Sequence, residues 1–95
     1  MKINLKKNFV DVYGIENTDA SIHAAVAAAL FNLGQSKSAS RDDKIRAYNL
    51  SVNIISNDGQ IDVTSEDITL IKEVAGDTFT AGGYGQIVNI VENLK

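Results

Sequence analysis

Cysteine is absent from this sequence of 95 residues, and histidine occurs once. Without cysteine the chain has no disulfide, no cysteine nucleophile and no thiolate metal site, and a reducing compartment suits it. No stretch approaches the roughly 20 apolar residues of a membrane span. The lysine-bearing first residues are not followed by the apolar segment of a secretory signal. We therefore expect a cytoplasmic protein without a membrane segment.

Basic residues are scarce in the second part of the chain. Residues 58–95 carry two lysines against seven acids, whereas residues 1–57 carry seven bases and five acids. A helix that enters a DNA groove must neutralise several phosphates to bind at physiological salt. The region around Gly76 has too few basic residues for a DNA-binding helix–turn–helix. We therefore expect no nucleic-acid partner.

The length and composition favour one small folded domain. Hydrophobic residues make up 44% and charged residues 22% of the sequence, which is near the averages of folded soluble proteins. A chain of this size buries only about two thirds of its unfolded surface, which leaves little surplus stability for a deep cleft. We expect a single domain over residues 1–95 that binds by its surface.

Two elements are expected before residue 35. Alternating apolar residues around Ile3 and Val10 predict a short N-terminal β-hairpin, with its turn either at residues 6–8 or at Tyr13 and Gly14. The first helix is predicted to begin at a cap on Asp19 and to end before Gly34. Its buried stripe comprises Ile22, Val26, Ala29, Leu30 and Leu33.

Residues 45–56 fit two structures. As a strand, they alternate apolar and polar residues and lead into a turn at residues 57–59. As a helix, they follow a cap on Asp42. The stripe that this helix would bury comprises Ile45, Tyr48, Val52 and Ile55, flanked by Ala47 and Leu50. We favour the helix.

The remainder of the chain predicts one short strand and two helices. The strand covers residues 61–63. Thr64 then caps a helix that runs to about Ala75 and ends at Gly76, and Thr80 caps the last helix. The apolar positions of that last helix are Tyr84, Ile87, Val88, Val91 and Leu94. The predicted fold is α+β, with three to four helices, the N-terminal hairpin and one further short strand.

Side chains suited to catalysis or metal binding have simpler structural explanations. A relay of Ser21, His23 and Asp19 is unfavourable, because positions two apart on a helix do not face each other. The acid pairs at 42–43 and 66–67 stand at helix starts, where capping explains them. A calcium loop over the residues around Gly59 would place Ile54 at an acid-ligand position. We expect no enzymatic activity, no metal and no cofactor.

The glycine-rich segment 82–85 supports one alternative function. Glycine backbone at a helix N-terminus can hold a phosphate, so a small-ligand or nucleotide-binding module is the alternative. The segment matches neither the dinucleotide-binding nor the P-loop motif. Glycine within a helix costs about 1 kcal/mol relative to alanine, so close helix packing or a kinked first turn is the better explanation.

Four segments resemble small uncharacterised proteins of bacteriophages and prophages: MKINL at the start, VDVYG at 10–14, GQIDVT at 59–64 and GQIV at 85–88. This resemblance implies a phage or prophage accessory protein that acts by binding a phage or host protein, and a homodimer is one form of such binding. The candidate interaction surface comprises Lys37, Arg41, Lys44, Arg46 and Tyr84.

Overall fold

The computed structural model describes residues 1–35 and 38–92. In these residues the chain forms four helices and four short strands, which confirms the predicted α+β class. In chain order they are β1 (Lys2–Asn4), β2 (Asn8–Val10), β3 (Glu16–Ser21), α1 (Ile22–Phe31), α2 (Arg41–Ser56), β4 (Gln60–Asp62), α3 (Ser65–Thr78) and α4 (Ala81–Glu92).

The strands form two antiparallel pairs. β2 pairs with β3, which confirms the N-terminal hairpin and places its turn at the later of the two predicted positions. Gly14 has φ +81°, and the Asp11 carboxylate accepts hydrogen bonds from the backbone N–H groups of Tyr13 and Ile15. β1 pairs instead with β4, so that Ile3 faces Ile61.

α1 begins at a different cap from the predicted one. Ser21, in extended conformation, is the N-cap, whereas Asp19 lies in β3. The chain stays in the strand as far as Ser21 because the hairpin pairs Asn8 with Ser21. The helix ends at Phe31, and Gly34 has φ +101° beyond it, as predicted.

Residues 45–56 are helical, so the choice of helix over strand is confirmed. The cap is Ser40, whose side chain accepts from the N–H of Asp43, and not Asp42, which lies in the first turn. At the other end, Asp58 has φ +56°, and the N–H of Gly59 donates to the carbonyl of Ile54 at 2.8 Å. This is the Schellman arrangement that closes a helix C-terminus.

α3 has the cap that the sequence predicts. Thr64 and Asp67 form a reciprocal capping box. Gly76 does not end the helix, contrary to prediction, and α3 continues to Thr78. A Cβ at Gly76 would lie 3.4 Å from the ring of Tyr84, so this glycine faces the neighbouring helix at ordinary contact distance. α4 begins directly after Thr80, as predicted, and Leu94 lies outside the described residues.

One hydrophobic core joins all four helices with β1 and β4. Its most enclosed large side chains are Leu5, Leu30, Ile54, Ile71, Ile87 and Val91. The only buried polar residue among the described ones is Ser51, whose hydroxyl donates to the Tyr48 carbonyl at 2.7 Å. The core lies between the helices, so the outer sides of α1 and α2 remain available to other molecules.

Candidate functional site

Five large apolar side chains are exposed together on the outer side of α1 and α2. We name this surface the α1–α2 face, and its members are Phe31, Ile45, Tyr48, Val52 and Ile55. Each of them is 45–64% exposed. Phe31 is the last residue of α1, and the other four lie on α2. Such a concentration of apolar surface is typical of a binding site for another protein or a ligand.

The α1–α2 face exists because α2 has two apolar stripes. The side that packs into the core carries Ala47, Leu50, Ser51 and Ile54. The stripe that was predicted to be buried runs from Ile45 to Ile55 in steps of three and four. At 100° per residue, it lies about a third of a turn away from the core-facing side of α2. The prediction of which side of α2 enters the core was therefore wrong. The side chains expected inside the molecule are on its surface.

A groove runs between the two helices within this face. Its volume is about 460 Å³, and its lining is almost entirely apolar. The α1 side of the groove is made by Ala24, Ala27 and Ala28, whose short side chains keep it open. At one end the rings of Phe31 and Tyr48 pack at a centroid distance of 6.1 Å. The groove suits an apolar side chain of a partner.

The structure separates the residues of the predicted interaction surface. Arg41 and Lys44 lie at the N-terminal end of α2, beside the α1–α2 face. Arg46 turns toward α3 instead, where its guanidinium donates to Asp67 at 3.0 Å. Tyr84 is half-buried in the contact between α3 and α4. Lys37 lies outside the described residues.

None of the five members of the face was predicted to belong to an interaction surface, since four were expected in the core and Phe31 was assigned no role. Phe31 follows the alanine-rich run of α1 and does not belong to the helix's buried stripe, which comprises Ile22, Val26, Ala27 and Leu30. A large aromatic residue one step beyond a stripe is the signal that would have identified it.

Ser21 and His23 meet, although the sequence predicts that they do not. The Ser21 Oγ lies 2.7 Å from Nδ1 of His23, because Ser21 has an extended backbone and precedes the helix. The acid beside His23 is Asp58, not Asp19: its Oδ1 lies 3.7 Å from the imidazole Nε2. The other oxygen of Asp58 lies 2.6 Å from Nζ of Lys6.

The contacts of this polar cluster hold parts of the chain together and are not arranged to activate the Ser21 hydroxyl as a nucleophile. The 3.7 Å between imidazole and carboxylate exceeds a hydrogen-bond distance. The lysine holds the carboxylate, and its hydrogen bond is the main reason that the pKa of Asp58 is lowered. The Ser21 hydroxyl also caps α1. The cluster therefore links the segment after β1, the start of α1 and the end of α2.

Close packing explains only part of the glycine segment 82–85. A Cβ at Gly83 would lie 3.3 Å from Phe79, whereas one at Gly82 or Gly85 would meet no atom within 4 Å. The side-chain amide of Gln86 accepts from the Val10 N–H at 2.8 Å and donates to the Val10 carbonyl at 3.0 Å. These contacts attach the β2–β3 hairpin to α4. The charged residue that lines the adjacent cavity is Asp11, an acid, which does not favour a phosphate.

Metal-binding clusters and membrane-spanning helices are both absent from residues 1–35 and 38–92. No group of three or more histidine, aspartate or glutamate side chains is placed to hold a metal ion. None of the helices in this part of the chain has the length and apolarity needed to span a bilayer.

Comparison of the chain with protein-family models, curated proteins and solved structures finds no match.

Proposed function

We propose that this chain is a non-enzymatic protein that acts by binding another protein through the α1–α2 face. The observation that carries this proposal is the second apolar stripe of α2, which lies outside the core and joins Phe31 across the groove. Isolated exposed apolar residues are normal on protein surfaces, whereas a contiguous patch of them favours an interface.

The composition of the α1–α2 face supports a protein partner. Aromatic residues are enriched in the cores of protein interfaces, and the face contains Phe31 and Tyr48. Arg41 and Lys44 lie at its edge and supply a polar rim of the kind that surrounds such cores. Two packed helices present the face, so little conformational entropy is lost when a partner binds.

The setting expected from the sequence resemblance is a phage or prophage accessory protein. In that setting the second protein would come from the phage or from its host. The α1–α2 face constrains this partner chemically, because it must offer apolar side chains to the groove and acidic or neutral groups to Arg41 and Lys44.

Site-specific photo-crosslinking in intact cells tests the proposal. A benzophenone amino acid replaces Val52 in the face, and the matched control places it at Asn89, an exposed position on α4. We expect a discrete crosslinked species from position 52 that is absent from position 89. Adding Ile55→Lys to the chain labelled at position 52 should abolish that species. Equal crosslinking at both positions, or none at position 52, would overturn the proposal.

A further inference from the structure

The spacing of the exposed stripe makes it complementary to itself. Ile45, Tyr48, Val52 and Ile55 are separated by intervals of three, four and three residues. These intervals read the same in both directions along the helix. When two such helices pack antiparallel across a two-fold axis, Ile45 faces Ile55 of the second copy and Tyr48 faces Val52.

We propose that the protein bound by the α1–α2 face is a second copy of this chain, with the two α2 helices antiparallel. This inference rests on the proposed function and names its partner. Side-chain sizes suit the pairing, because the large ring of Tyr48 stands opposite the smaller Val52. The alanine-lined groove of about 460 Å³ leaves room for side chains of the other copy.

Charge selects the antiparallel orientation. Arg41 lies seven residues before Tyr48 and therefore on the side of the stripe, and Lys44 is close to it. Asp42 and Asp43 point to other sides of the helix. At the opposite end of α2 stands the negative end of the helix dipole, whereas Asp58 beyond it is paired with Lys6. An antiparallel copy brings the bases of one chain to that negative end of the other, whereas a parallel copy brings like charges together.

The five side chains of the face supply more than half of the area that each partner buries in a standard interface. Five side chains that are each 45–64% exposed present roughly 500 Å², since a fully exposed large side chain offers on the order of 200 Å². The exposed neighbours Arg41, Lys44 and Asn49 extend the patch toward the roughly 800 Å² that each partner buries in a standard interface.

Sedimentation equilibrium of the purified chain is the first test. We expect a mass of twice 10.2 kDa at high concentration, in reversible exchange with the monomer. Val52→Lys should raise the dissociation constant at least about tenfold, because each dimer loses two apolar contacts and gains two buried charges. Asn89→Lys, an equal change of charge on α4, should leave the constant unchanged. Circular dichroism shows whether both variants are folded.

Crosslinking between engineered cysteines tests the orientation, and the natural absence of cysteine makes each label unique. In the antiparallel dimer, Asn49 lies beside the two-fold axis and faces Asn49 of the second copy. The two Ser56 positions are about 18 Å apart along the helices, because each lies six residues from the axis and each residue advances 1.5 Å. A short bis-maleimide should therefore crosslink two Asn49→Cys chains and leave Ser56→Cys chains uncrosslinked.

The contrary results separate this inference from the proposed function. A chain that stays at 10.2 kDa up to about 1 mM overturns the second copy as partner. Efficient crosslinking at both cysteine positions overturns the antiparallel orientation. If the purified chain is monomeric while position 52 still crosslinks in cells to a protein of another mass, the proposed function stands and only this inference fails.

Discussion

Four positions of the described chain have a positive φ, and two of them, Asp58 and Gly59, adjoin each other where α2 turns into β4. The carbonyl of Gly59 accepts from the N–H of Leu5 at 2.7 Å, so this turn also holds the segment after β1. A Cβ on Gly59 would lie 2.8 Å from the backbone nitrogen of Lys6 and 2.9 Å from the Cβ of His23. The absence of a side chain at Gly59 thus allows three parts of the chain to meet.

Gly59→Ala should destabilise the fold by about 2 to 5 kcal/mol. A left-handed conformation costs an L-residue roughly 1 to 2 kcal/mol, and overpacking adds about 1 to 3 kcal/mol. Gly14→Ala is the matched control, because Gly14 has a similar φ of +81° but open space around it. It should lose only the conformational part. Urea denaturation measures both, and equal losses would contradict the close approach at Gly59.

The Asp58 carboxyl should make the free energy of unfolding depend on pH in the acidic range. The Lys6 hydrogen bond lowers the pKa of the Asp58 carboxyl below its usual 3.8, and partial desolvation opposes this shift. A carboxyl with a lowered folded-state pKa stabilises the fold above its unfolded-state pKa and loses that contribution as the pH falls through the folded-state value.

Asp58→Asn should therefore be less stable than the natural chain at pH 7, and the difference should shrink as the pH falls below 3.8. Asparagine tolerates a positive φ, so the backbone of the turn is retained. Lys6→Met should produce the same dependence on pH. Unfolding free energies of the three proteins between neutral and acid pH measure this, and a difference that does not change with pH would argue against the ion pair.

At the scale of elements, α2 is defined by the contrast between its two apolar sides. Ile54 has no exposed surface, whereas the adjacent Ile55 is 56% exposed. Only the side with Ile54 contributes to the core. The other side stays about half exposed and is accessible to a partner.

Ile54→Ala should cost about 2 to 5 kcal/mol of unfolding free energy, because it leaves a cavity in the core. Ile55→Ala should stay within about 0.5 kcal/mol, as is usual at a surface. Measured in dilute solution, the pair differs in position alone, since the residue type and the helix are the same. Similar losses at both positions would mean that α2 is rotated relative to the structure.

The same contrast explains which parts of the elements were predictable. Helical periodicity favoured a helix over a strand for α2, and the cap at Thr64 was readable from the local sequence. The side of α2 that enters the core was not readable, because both stripes have helical spacing and burial depends on where α1 packs. The start of α1 was misplaced because pairing of the hairpin extends the strand through Asp19.

At the scale of the whole molecule, β1 closes the fold by pairing with β4. The N–H of Val63 donates to the Met1 carbonyl at 2.7 Å beyond that ladder. Each strand is only three residues long, and the two are far apart in sequence. No local sequence pattern therefore predicts that β1 pairs with β4. The interaction site could not be predicted from the sequence either, because the α1–α2 face joins residues from two helices.

The most direct measurement of the central claim is methyl NMR of the isoleucine side chains with a soluble paramagnetic agent. In dilute solution the agent should broaden the methyl signals of Ile45 and Ile55 and spare that of Ile54. At high chain concentration the signals of Ile45 and Ile55 should become protected as the second copy covers them. Protection of both in the dilute monomer would contradict the exposed α1–α2 face, and full exposure at every concentration would contradict the second copy as its partner.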